Sequence, residues 1–114
     1  MRVVIQRVKE ASVSVQGVKI SEIQKGLLIL VGVETQDNQQ DIDWLVAKVA
    51  KLRIFEDLDG AMNVSLHDID ADVIVVSQFT LHASTKKGNR PSFIKAAKPE
   101  VAIPLYQGFV DSLE

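Results

Sequence analysis

Apolar residues in this chain recur with two periods, and each switch between them marks an element boundary. Residues 2 to 9 carry Val3, Val4, Ile5 and Val8 with a polar break at Gln6-Arg7, which reads as a strand. Ala11 to Val15 alternates strictly, apolar against hydroxyl, predicting a strand with one buried and one wet face. Gln16-Gly17 supplies a residue that tolerates positive φ, and Val18 to Ser21 returns with the same alternation, so a hairpin is expected. Leu27 to Val33 is a continuous aliphatic run and predicts a strand buried on both faces. Gly32 within it signals a bulge or a close backbone approach.

The period then changes to that of a helix. Asp37 to Gln40 is a helix start, with an acceptor side chain at the cap and a glutamine three residues on. Ile42, Leu45, Val46, Val49 and Leu52 follow on one face, widened by Trp44 and Ala47, while Asp43, Lys48 and Lys51 take the opposite face. Asp57 to Gly60 is a turn, and Met62 to Leu66 a short half-buried piece.

Asp72 to Leu81 is the stretch around which the rest is organised. Its β-branched run, Val73 to Val76, predicts a strand buried on both faces, which turns polar at Ser77, Gln78 and Thr80 while Phe79 and Leu81 stay apolar. A rigid strand ending in hydroxyls and an amide is a good mount for a site; a core strand running out to solvent has the same pattern. Val101, Leu105, Phe109 and Leu113 at four-residue steps predict a last helix, its regular part beginning near Pro104. The architecture is therefore α+β: a curled antiparallel or mixed sheet approaching a β-barrel, with two packed helices, in one domain over residues 1–114.

Charge sharpens this picture locally. The net charge of −2 makes the whole molecule no electrostatic nucleic-acid binder, yet residues 84 to 99 hold Lys86, Lys87, Arg90, Lys95 and Lys98 without an acidic residue. That run is either a solvated loop or a local anion-binding patch. Pro91 stiffens the loop and biases Arg90 towards an extended conformation. No cysteine is present, which excludes thiolate chemistry and fits a cytoplasmic location. The two histidines, His67 and His82, are too far apart in sequence to suggest a zinc site, and no cofactor is expected. No apolar run approaches the roughly 20 residues of a membrane span. Arg2 and Arg7 enclose only four residues including Gln6, which is no signal-peptide core.

Three stretches together resemble the D-aminoacyl-tRNA deacylase family: Gln6-Arg7-Val8 followed by Ala11-Ser12-Val13, Ser77 to Leu81, and Arg90 to Phe93. Arg53-Ile54-Phe55 and Met62-Asn63 also stand where that family has them. The resemblance implies hydrolysis of the ester joining a D-amino acid to tRNA, or glycine mischarged on tRNA(Ala), a chiral proofreading step in translation. It implies a catalytic wall of Ser77, Gln78, Phe79 and Thr80, with Phe79 and Thr80 N–H groups facing an oxyanion. Thr80 is either a nucleophile or a positioning group, with the ribose 2′-hydroxyl assisting water in the second case. Arg7, Leu81, Arg90, Pro91, Ser92 and Phe93 would bind or support substrate, and Lys86, Lys87 and Lys95 would meet phosphates of the acceptor end. Without the resemblance, Arg7 reads equally as a surface arginine on an edge strand.

The same resemblance implies a homodimer. Family members continue into strands with an Asn-x-Gly-Pro-Val-Thr motif, whose Gly–cis-Pro carbonyls enter the partner's pocket and exclude L-amino acids. That motif is not in this sequence, so a fragment or a truncated homologue is expected, with an apolar patch or strand edge left uncovered. The competing function class is a non-catalytic module that binds RNA or protein through the 84–98 loop. A barrel for small apolar ligands is disfavoured by the few aromatics available to line it.

Overall fold

Leu27, Ile29 and Val31 occupy one face of a single strand, Val33 follows directly after it, and all four are buried. The computed structural model, which describes residues 1–114, builds the core around them. That strand, β4 (Gly26–Gly32), is the middle of a three-stranded sheet between β1 (Arg2–Val8) and β7 (Asp72–Ser77). It pairs antiparallel with β1 and parallel with β7, in a register that sets Val3 opposite Val31 and Val31 opposite Ser77. The continuous aliphatic run predicts burial on both faces, but the helices cover one face only, and Leu28 and Leu30 on the other are half-buried. The covering helices are α1 (Gln39–Lys51), through Ile42 and Val49, and α2 (Pro99–Leu113), through Phe109. Two further pairs, β2 (Ala11–Val15) with β3 (Val18–Ile23) and β5 (Phe55–Glu56) with β6 (Met62–Val64), form separate small sheets. The mixed α+β class and the two packed helices are as expected.

Several expectations need correction. The organising strand is β4, and β7 lies at the sheet edge, where only Ile74 of its aliphatic run is fully buried and Val73, Val75 and Val76 are half-buried. β-Branched runs suit an edge that other elements cover as well as a sheet centre. Here the Tyr106 hydroxyl of α2 donates to the Val75 carbonyl at 2.8 Å, which satisfies part of that edge. The hairpin forms where expected, with Gln16 and Gly17 both at positive φ, but its apolar face is covered only at the end away from the turn, where Ile23 is buried and Ala11 and Val13 are half-buried. Val15, Val18 and Ile20 are exposed because the ribbon extends beyond the core.

Trp44 and Ala47 are also exposed and do not widen the buried stripe of α1. The cap of α1 is Asn38, not Asp37: the Asn38 side chain accepts from the Gln40 N–H, and Asp41 accepts from the Asn38 N–H. Asp37 instead accepts from the Met1 ammonium and from the Glu34 N–H. Finally, α2 starts at Pro99 in the first helical position and carries Pro104 inside it. Proline fits the opening position because that N–H needs no partner. Pro104 denies a donor to the Glu100 carbonyl, a tolerable loss on an exposed helix face.

Candidate active site

The site begins where β7 leaves the sheet. Gln78 N–H still donates to the Val31 carbonyl at 2.7 Å, but the chain then folds into one 3₁₀ turn, Phe79–Leu81. The turn is closed by Leu81 N–H to Gln78 carbonyl (3.3 Å) and His82 N–H to Phe79 carbonyl (3.1 Å). It packs directly on Gly32, where a Cβ would lie 3.0 Å from His82 Cδ2, 3.0 Å from Leu81 Cβ and 3.1 Å from the Gln78 carbonyl oxygen. The glycine is thus the close backbone approach that its place in an aliphatic strand suggests. From the far side of β4, Arg2 Nη1 donates to the Leu81 carbonyl at 2.6 Å and holds the end of the turn.

This geometry leaves specific groups free. The first N–H groups of a helical turn have no partner within it, and neither Phe79 nor Thr80 N–H donates to any acceptor in the chain. They are adjacent donors on a braced turn, the arrangement that can receive a developing oxyanion. The Gln78 side-chain amide donates to the Thr80 hydroxyl oxygen, fixing both side chains. No base stands on that hydroxyl. His82 does not continue the strand alongside Thr80; it is buried, with Nδ1 3.8 Å from Glu34 Oε1 and Nε2 without a partner.

The basic run is anchored beside this turn at both ends. Ser84 and Ser92 exchange N–H···O bonds of 2.8 Å, and Ala97 N–H donates to the Val33 carbonyl at 2.8 Å, extending the pairing of β4. Phe93 meets Phe79 edge to face, with ring centroids 5.3 Å apart, which joins the loop to the 3₁₀ turn. Between loop and sheet lies a cleft of about 710 Å³ whose lining includes Arg2, Lys86, Lys87, Arg90, Lys95 and Ser92, with Glu34 its one carboxylate. The two carboxyls held below their ordinary range lie elsewhere: Asp57 by the Asn63 amide, then the Ala61 N–H, and Asp68 by the Ser65 N–H and then its hydroxyl.

The expected site residues are therefore brought together in two groups. Ser77, Gln78, Phe79, Thr80 and Leu81 form the strand end and turn, with Phe93 against them. Lys86, Lys87, Arg90, Ser92 and Lys95 line the cleft; Pro91 is exposed in the loop but outside the lining. Arg7 joins neither group. It is opposite Leu27, which pairs with Val73 at the far end of β7 from Ser77, and its Nη1 donates to the Ile54 carbonyl at 2.8 Å. The N-terminal arginine at the turn is Arg2. No local pattern distinguishes it, because its role depends on a contact across two strands.

The chain is similar to several known proteins along its whole length. The family model described as D-Tyr-tRNA(Tyr) deacylase matches residues 4–114. A Flavobacterium johnsoniae protein named D-aminoacyl-tRNA deacylase is 67% identical over 114 residues, spanning 100% of this chain and 76% of that protein. A Bacteroides fragilis protein of the same name is 60% identical over 113 residues, covering 99% and 75%. Among solved structures, a c-Myc DNA Unwinding Element Binding Protein superposes with a TM-score of 0.94 at 39% identity, covering 99% of this chain and 76% of the other. A probable eukaryotic D-amino acid tRNA deacylase shares the fold, with a TM-score of 0.83 at 16% identity over 97% of this chain and 65% of that one.

Proposed function

The chain belongs to the D-Tyr-tRNA(Tyr) deacylase family, and from that membership we propose how its residues hydrolyse the ester of a D-aminoacyl-tRNA. The observation that carries the reading is the pair of unpartnered N–H groups of Phe79 and Thr80 on a turn braced by Gly32 and Arg2. Water attacks the ester carbonyl, and the negative charge gathered on its oxygen falls between those two donors. Preorganised donors of this kind typically contribute about 3 kcal/mol each to the transition state. The intermediate collapses by breaking the bond to the ribose oxygen, which takes a proton as free tRNA leaves with its terminal hydroxyl restored. The D-amino acid departs as the other product.

An aminoacyl ester is already activated, so the protein need not supply a strong nucleophile. Thr80 acts as a positioning group: its hydroxyl oxygen already accepts from Gln78, and no base is placed to deprotonate it. The ribose 2′-hydroxyl assists the attacking water. Ser77 and Gln78 position the ester and the substrate amino group. Arg90 and Ser92, with Phe93 and Pro91 shaping the loop, support the terminal nucleotide, while Lys86, Lys87 and Lys95 meet acceptor-end phosphates, contacts that carry no sequence information. A local patch of this kind suffices even though the net charge is −2. Residues 1–114 act as one deacylase domain, working as a homodimer in the cytoplasm, where charged tRNA is used. Glycyl-tRNA(Ala) is a second substrate of the same chemistry.

The test is release of the D-amino acid from D-Tyr-tRNA by the purified protein, compared with Gln78→Ala. Loss of one well-placed polar contact, about 1.4 kcal/mol or more, should lower kcat/KM roughly tenfold or further. An unchanged kcat/KM removes Gln78 from the site, and tRNA binding without hydrolysis by the wild type favours the non-catalytic module.

A further inference from the structure

The outer face of α1 presents a second feature that the deacylase reading does not use. Trp44 is 64% exposed, on the side of the helix away from Ile42 and Val49, which are buried. Lys48 lies one turn on, its Nζ 5.5 Å from the centre of the indole ring. Lys51 and Arg53 extend the positive charge past the helix end. With Ala47 and Leu52 as its floor, these residues line a shallow groove of about 410 Å³. No carboxylate lines it. The acids on the neighbouring turn are engaged elsewhere, Asp41 with the Asn38 N–H and Asp43 with the Gln39 side-chain amide, each at 2.9 Å.

We infer that this groove is a docking site for single-stranded RNA, with a base stacked on Trp44 and the adjoining phosphates on Lys48, Lys51 and Arg53. An acidic peptide would use the three cations but has no need of an exposed indole. An unpaired nucleotide segment uses both, since every base offers a flat face for stacking and each linkage brings one negative charge. Lys48 already shows that the ring attracts a cation to one face, and moving it to a phosphate leaves that face open to a base. A double helix would not fit, because its bases are stacked on one another and unavailable. The groove shares no lining residue with the cleft beside the 3₁₀ turn, so the two sites act independently.

Trp44 is the chain's one tryptophan, so its fluorescence reports on this groove alone. Titrating the full protein with a short oligoadenylate that carries no amino acid should, at low ionic strength, give saturable quenching. The slope of log affinity against log salt should be about −2, as expected for three single-strand phosphate contacts at roughly 0.7 each. Lys51→Glu with Arg53→Glu should abolish most of the quenching. Trp44→Leu, followed by anisotropy of a labelled oligoadenylate, should weaken binding about tenfold while leaving the melting temperature unchanged. The paired variant Lys86→Ala and Lys87→Ala should still show the quenching. The inference is overturned if the oligonucleotide causes no quenching, if a duplex binds as well as the single strand, or if Trp44→Leu binds like the wild type. It is overturned as well if the Lys86/Lys87 variant loses the signal, which would assign it to the other cleft, or if only an acidic peptide responds. Because no aminoacyl ester is involved, failure here leaves the hydrolytic reading untouched.

Discussion

Gly32→Ala tests whether the reactive turn is held by its contact with β4. The added Cβ would stand 3.0 Å from both His82 Cδ2 and Leu81 Cβ and 3.1 Å from the Gln78 carbonyl oxygen. Carbon atoms pack comfortably at about 3.5–4.0 Å, so the turn must retreat by roughly 0.5 Å or more. It cannot do so freely, because Gln78 N–H is tied to Val31 and the Leu81 carbonyl to Arg2. Overpacking of this kind costs about 1–3 kcal/mol of stability. In a domain near this size each kcal/mol lowers the melting temperature by roughly 4–8 °C.

Activity should fall further than stability. The Phe79 and Thr80 N–H groups ride on the displaced turn, and a misplacement of about 1 Å can cost 100-fold. Thermal unfolding followed by circular dichroism, alongside D-Tyr-tRNA hydrolysis well below the melting point, separates the two effects. The expected result is a folded protein with kcat/KM reduced at least tenfold. A variant with the parent's kcat/KM, or one whose loss matches its unfolded fraction, would refute the claim that Gly32 sets the turn. Gly26→Ala is the contrasting change: its Cβ would fall 1.7 Å from the Asp72 carbonyl oxygen, and that variant should not fold.

Thr80→Ala should keep substantial activity if the hydroxyl only positions substrate; complete loss, with an acyl-enzyme trapped on the wild type, makes Thr80 the nucleophile. Neutralising Lys86 and Lys87 together should weaken tRNA binding and flatten its salt dependence by about 1.4–1.8 units of slope. Hydrolysis of a short aminoacyl-adenosine should be unaffected, and equal loss on both substrates would place the lysines at the reaction centre. Asp57→Ala removes the acceptor for the Asn63 amide and for the Ala61 and Asp59 N–H groups. Because those bonds lower the folded carboxyl below 3.8, its contribution is present above that pH and lost as pH falls through the folded value. Urea unfolding should therefore show a stability gap between wild type and variant at neutral pH that narrows below 3.8; a gap independent of pH contradicts the assignment.

Local chemistry was enough to place most elements. The hairpin at Gln16-Gly17, the stripe Ile42–Val49, the turn at Asp57 and the close approach at Gly32 all follow from periodicity and turn preference, which short-range sterics determine. The grouping of Ser77 to Leu81 with the loop around Phe93 was legible from the family resemblance. Other features had no local signature. An aliphatic run looks the same at a sheet's centre and at a covered edge, so only strand order shows that β4 and not β7 is central. Alternation in the hairpin fixes which residues share a face, but whether Val15, Val18 and Ile20 meet anything depends on where the ribbon points. Trp44 at the border of an apolar stripe is exposed for the same reason. Arg2 reaches Leu81, and Arg7 reaches Ile54, through hydrogen bonds between residues 79 and 47 positions apart. Contacts of that range exist only once the strands have paired. The sequence therefore determined the elements and their chemistry, while tertiary packing decided which arginine braces the turn and which apolar faces stay open.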